Sequence, residues 1–275
     1  MVDQPNTGTD LDKRSGEPGQ VPDAADHEAV RYARLSGVMG IVFAALFVVG
    51  LVLVHRSPSL ALPDADYAQF YSDGGQHVLV TAGTSIMPFA GIAFLWHMTT
   101  IRLLVRARTP APPAIPEGLQ LLSGAMFVIL LLAGIGAAGA TALLMDLTDA
   151  PLSSVGVARA LSGLGYGLVF VYAIRGAGMY AITTTTLLRK AGILSRWVAV
   201  LGYVAAAVLL VSTTYNPLVV LVFPAWVVLV SVEVLIRAGR PGDRGGLENG
   251  NAASRHHAAS MGYRGRRASR ESRDL

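Results

Sequence analysis

The feature that most constrains this chain is a recurrence of apolar runs. Between Leu35 and Ile236 greasy residues collect into blocks of about 20 or more, separated by short polar stretches. A helix of that length, rising 1.5 Å per residue, crosses a hydrocarbon core of roughly 30 Å. Lipid offers backbone N–H and C=O groups no water, so each block must satisfy them internally, as a helix does. Composition agrees: 52% of residues are hydrophobic and only 15% charged, with a mean hydropathy of +0.49, too apolar for an ordinary soluble domain. The expected fold class is all-α, a polytopic membrane protein built as a six-transmembrane-helix bundle. Its spans fall at about 35–54, 78–101, 119–145, 161–188, 197–214 and 217–236.

The flanks read differently. Residues 1–30 are rich in Asp, Gly, Pro and Gln, residues 239–275 in Gly, Arg and Ser, and neither shows an apolar period. Both are expected to be disordered tails around a membrane domain at 31–238. The long hydrophilic leader before the first apolar block points to an uncleaved anchor rather than a signal peptide.

Threading follows from charge. Of the 22 Lys and Arg residues, 19 fall on one side of this arrangement, against Arg56 and Arg159 on the other and Arg175 inside a span. Positive charge stays in the cytoplasm, so both termini are expected there, in a bacterial inner membrane. Asp64, Asp66 and Asp73, then Asp146 and Asp149, lie in the opposite loops.

Several function classes drop out. With no cysteine, disulfides, thiolate metal sites, c-type haem attachment and cysteine nucleophiles are excluded. No G-x-S-x-G, H-E-x-x-H or Walker sequence occurs, and "GLGYG" at 163–167 has the wrong spacing for a dinucleotide fingerprint. Haem between helices needs two imidazoles at one depth; His97 has no such counterpart, and His55 and His77 meet only at the outer ends of spans 1 and 2. No cofactor or metal is called for, and enzymatic action on lipid ranks last among the functions considered. The pI near 9.6 comes from charges flanking spans, so the partner is the lipid bilayer and not nucleic acid. Arginines 255, 264, 266, 267, 270 and 273 are placed to attract anionic headgroups at about 1 kcal/mol each, and "RRAS" offers Ser269 to a basophilic kinase.

The sharpest residue is Arg175, in the middle of span 4. A permanent cation at the bilayer centre costs about 2.5–3.5 kcal/mol on insertion scales, so it needs partners. One reading pairs it with Glu233, the only acid well inside a span, as a structural polar pair. Another makes it a contact for a small anionic or lipid-like ligand in an intramembrane cavity, with Tyr172, Tyr180 and Thr183 supplying further polar groups. Thr183 to Thr186 can also simply bond back to carbonyls one turn earlier.

Packing and shape have their own signals. Gly136 with Ala140, Gly163 with Gly167, and Gly202 with Ala206 lie four apart, each pair a groove for a neighbouring helix. Pro88 and Pro224 are expected to bend spans 2 and 6, freeing the carbonyls of Thr84 and Val220. In the first outer loop Tyr67, Phe70 and Tyr71 make one aromatic face, read as an interfacial anchor with wet hydroxyls.

Residues 171–203, "VYAIRGAGMYAITTTTLLRKAGILSRWVAVLGY", with "LVFPAWVVLVSVEVL" at 221–235 and "FLWHMTTIRLL" at 94–104, resemble an actinobacterial-type family of multi-pass integral membrane proteins of unknown function. The resemblance covers about two thirds of the chain. It rests on Arg175, the threonine run 183–186, Arg196–Trp197 and Phe223–Pro224 with Trp226. It implies an inner-membrane location and carries no activity.

Overall fold

The computed structural model describes residues 21–72, 76–109, 111–148, 152, 154–212 and 217–238. Among them every regular element is helical: α1 (Val21–Val54), α2 (Asp64–Ser72), α3 (Gln76–Arg108), α4 (Ala114–Thr148), α5 (Val155–Gly167), a π-helical turn (Leu168–Ala173), α6 (Ile174–Lys190), α7 (Arg196–Val211) and α8 (Pro217–Ala238). Residues 1–20, and the C-terminal arginines with Ser269, lie outside the described residues.

Five segments are long and apolar enough to cross a membrane: His27–Val54, His77–Arg108, Ala114–Thr148, Val155–Lys190 and Leu218–Arg237. The fifth of the six expected spans is α7, with 16 residues, about 24 Å long and thus shorter than a hydrocarbon core. At the other end of the chain α1 starts at Val21 rather than after residue 30. Ala24, Ala25, Glu28 and Ala29 are strong helix formers, and Ala29 and Ala33, one turn apart, are both buried.

The helices form a closed ring in chain order. Contacts run α1 to α3, α3 to α4, α4 to α6, α6 to α7, α7 to α8, and α8 back to α1. Five of these helices meet at the centre through Phe43 (α1), Phe94 (α3), Phe127 (α4), Tyr180 (α6) and Phe223 (α8), with Phe47 and Trp226 packed beside them. Among the five, centroids lie 4.6–6.3 Å apart in tilted or edge-to-face pairs, the arrangement favoured by ring quadrupoles. Outward, Val52, Phe89, Ile129 and Val204 are exposed, an apolar exterior matched to acyl chains. Pro88 and Pro224 sit inside unbroken helices, next to the buried Met87 and Phe223.

Small residues do let helices approach, at other positions than the spacing predicted. A Cβ on Gly165 would stand 2.5 Å from the Gly134 carbonyl oxygen and 2.7 Å from the Ala138 Cβ, so α5 and α4 meet backbone to backbone there. At Gly136, Gly163 and Gly167 a Cβ would meet nothing within 4 Å. Spacing of four selects one helix face but does not say which face has a neighbour. Gly202 does pack as expected, against Thr185 and Trp226, with Ala206 fully buried beside it.

The α6–α7 turn is built locally. Gly192 adopts φ +70°, its N–H reaches the Arg189 carbonyl, and the Ile193 N–H reaches that of Leu188. This 5→2 and 6→1 pair is the Schellman arrangement, which a glycine permits at no steric cost. Ser195 then caps α7, its hydroxyl oxygen accepting from the Val198 N–H.

Candidate functional site

Arg175 lies just below the π-helical turn. There the Ile174 N–H reaches back five residues to the Val169 carbonyl, and the widened turn presents the Phe170 carbonyl to the side chain. One guanidinium nitrogen donates to that oxygen at 3.0 Å, and the other terminal nitrogen donates to the Ser212 carbonyl, also at 3.0 Å. Ser212 is the C-cap of α7. The cation therefore sits where a helix ends, against the partial negative charge of its unpaired carbonyls. The two partners are antiparallel and matched in length: Arg175 precedes Lys190, the end of α6, by as many residues as Val211 follows Arg196.

Glu233 is elsewhere. Its carboxylate accepts from the Ser195 N–H at 3.1 Å and from Arg237 Nε at 2.8 Å, at the N-terminal end of α7. The expected Arg175–Glu233 pair is not formed. Arg175 meets the C-cap of α7 and Glu233 its N-cap, so the length of that helix separates the two charges.

The other polar residues of the predicted site scatter. Tyr172 is 58% exposed, whereas Tyr180 is fully buried among the central rings. Thr183 and Thr186 bond back to the Met179 and Ile182 carbonyls at 2.8 and 2.7 Å. Thr184 accepts instead from Gln120 Nε2 at 3.0 Å, a tie between α6 and α4. Among the described residues the acceptors of Arg175 are the Phe170 and Ser212 carbonyls, and neither Tyr172 nor Tyr180 joins them.

Further polar groups fill the interior, of which Ser231 and Glu117 were not singled out in the sequence. His97, fully buried, donates from Nδ1 to the Ser36 carbonyl at 2.8 Å, which leaves Nε2 as a bare acceptor with no partner. The Tyr180 and Ser231 hydroxyls, Thr185 Oγ1 and the Trp226 indole nitrogen are likewise buried and unbonded. Glu117, placed outside the predicted third span, is 8% exposed; it accepts from Arg102 Nε at 2.7 Å and also from Arg106 Nε, joining α3 to α4. Its signal was visible in retrospect as the one acid beside a cluster of arginines.

The aromatic face of α2, expected to be an interfacial anchor, is not wet. Tyr67 and Tyr71 are buried under the helix they belong to, packed with Val80, Ala142 and Ala158. The Tyr67 hydroxyl is 3.3 Å from Ser162 Oγ. Arg159 covers the Tyr67 ring at 5.0 Å and bridges to Asp64 at 3.0 Å and to the Leu62 carbonyl at 2.8 Å. Burial, then the neighbouring Tyr67, pushes the Tyr71 phenol well above its ordinary range. Periodicity defined the face correctly, but the same stripe serves a membrane interface or a protein one.

Beside this cap a hollow of about 620 Å³ opens, lined by His55, Ser57, Ser59, Leu60, Gly163, Tyr166 and Phe170. A narrow cleft continues from it between Val54, Ile135 and Val169. No group of three or more metal-ligating side chains occurs among the described residues. Compared with family models, curated proteins and solved structures, the chain shows no match.

Proposed function

We propose that this chain is an integral protein of a bacterial inner membrane, crossing it six times with both termini cytoplasmic, and that its role is structural or accessory. The bias of Lys and Arg supports the threading, and the five membrane-capable helices support the environment. The short helix α7 is the sixth crossing.

The single observation behind the structural role is the binding of Arg175 to the carbonyls of Phe170 and Ser212. An anion-binding arginine presents its donors to a cavity; this one directs two of them to main chain, and it lines neither described hollow. Arg175 thus fixes where α7 ends, and the polar interior sets helix register. Two experiments test the proposal. Reporter fusions after residues 110 and 192 should read cytoplasmic, and a periplasmic reading overturns the threading. Arg175→Gln should lower the melting temperature in detergent, and an unchanged melting temperature overturns the structural role.

A further inference from the structure

We propose that the outer hollow is a binding site for an uncharged lipid with a small hydroxyl-bearing head, of the diacylglycerol class. The observation is independent of the role given to Arg175. Phe170 stands level with Ser212, since Arg175 bonds both carbonyls, and Tyr166 and Gly163 stand about one and two turns beyond it along the same helix. The hollow lies there, between the end of α1 and α5.

The lining specifies the ligand. Among the described residues its polar groups are His55, Ser57, Ser59 and Tyr166, with no Asp, Glu, Lys or Arg. A charged head entering the hollow would lose water without gaining a counter-ion, which is costly. The Ser57 hydroxyl already donates to the Val54 carbonyl at 2.7 Å, so it offers only lone pairs and demands a donor. The Ser59 oxygen accepts from the Ala61 N–H at 3.3 Å, leaving its proton to give. A head with one hydroxyl and adjoining ester carbonyls meets both needs, whereas a quinone, with acceptors alone, leaves Ser57 unmatched.

Below the head the walls become apolar. The cleft shares His55, Tyr166 and Phe170 with the hollow and continues along Leu51, Val54, Ile135 and Val169, but with about 20 Å³ it has room for one water and not for a chain. The hollow therefore takes the head and glycerol, and the acyl chains lie on the apolar exterior beside it, at Val52 and Leu164. The volume, about 620 Å³, is within the usual span of small-molecule sites, about 300–1,000 Å³.

The full chain in nanodiscs, exposed to a dioctanoylglycerol carrying a diazirine in one acyl chain, tests this. Adducts should concentrate at residues 55–60 and 163–170. Excess dioctanoylglycerol should displace them, and dioctanoyl phosphatidylglycerol should not. Gly163→Trp fills the hollow from a position where a Cβ meets nothing within 4 Å, and should cut labelling there at least tenfold with the melting temperature held. Tyr166→Phe, which removes one hydroxyl, should cut it severalfold. Labelling spread evenly over the lipid-facing helices and indifferent to both substitutions overturns the proposal. So does equal displacement by the anionic lipid, or a changed particle mass in Gly163→Trp, which would make the hollow an interface between copies.

Discussion

Arg175 and Glu233 hold opposite ends of the same helix. The guanidinium is bonded to the Ser212 carbonyl at the C-terminal end of α7, and the carboxylate to the Ser195 N–H at its N-terminal end. The intervening helix is about 24 Å long. Each charge meets the pole of the α7 dipole that it complements. Two ionisable groups that look like an ion pair in the sequence are in fact two separate clamps on a third element.

That separation makes the two residues energetically independent. Arg175→Gln and Glu233→Ala should each destabilise the protein, by about 2 kcal/mol for loss of hydrogen bonds from a charged group. The double variant should match the sum of the singles within about 0.5 kcal/mol. Denaturation of the four proteins in a double-mutant cycle measures it, and a coupling above about 1 kcal/mol would restore a direct pair.

Lysine should replace arginine poorly at position 175. A single ammonium cannot address the Phe170 and Ser212 carbonyls with two spread nitrogens as the planar fork does. Arg175→Lys should therefore fall between the native chain and Arg175→Gln in melting temperature. A lysine variant as stable as the native protein would show that charge alone suffices.

Glycine scanning should separate packed from unpacked positions. Gly165→Ala drives a methyl group against the Gly134 backbone and should cost about 1–3 kcal/mol, as overpacking does. Gly163→Ala, two residues away in open space, should be neutral or gain up to about 1 kcal/mol from helix propensity. Melting temperatures of the two variants decide it, and equal losses would contradict the packing described here.

The cap formed by α2 should loosen in alkali. The Tyr71 phenol is held above its ordinary value of 10.0 in the folded protein, so the folded state retains a proton that the unfolded state releases. Its contribution is complete below about pH 10 and is lost as pH rises towards the folded value. Proteolysis of the 55–75 segment should accelerate above about pH 10, and Tyr71→Phe, which cannot ionise, should suppress that acceleration. Identical alkaline profiles for the two proteins would exclude Tyr71 as the cause.

Local chemistry and long-range placement divide the legibility of this chain. Apolar run length depends only on the thickness of a hydrocarbon core, so the all-helical, membrane-type architecture followed from the sequence alone. The helix ends at Gly192 and Ser195 have local chemistry, a glycine at positive φ and a serine cap, and lie within a few residues of the expected limits at 188 and 197. Relative depth and facing neighbours were not legible, because each depends on all the other helices at once. One additional residue in the π turn at 168–173 and one helix ending at Val211 place Arg175 against Ser212. No pairwise count of spacings contains that information. The same holds for Tyr67 and Tyr71, whose amphipathic stripe was visible but whose covering surface, from α3, α4 and α5, exists only in three dimensions.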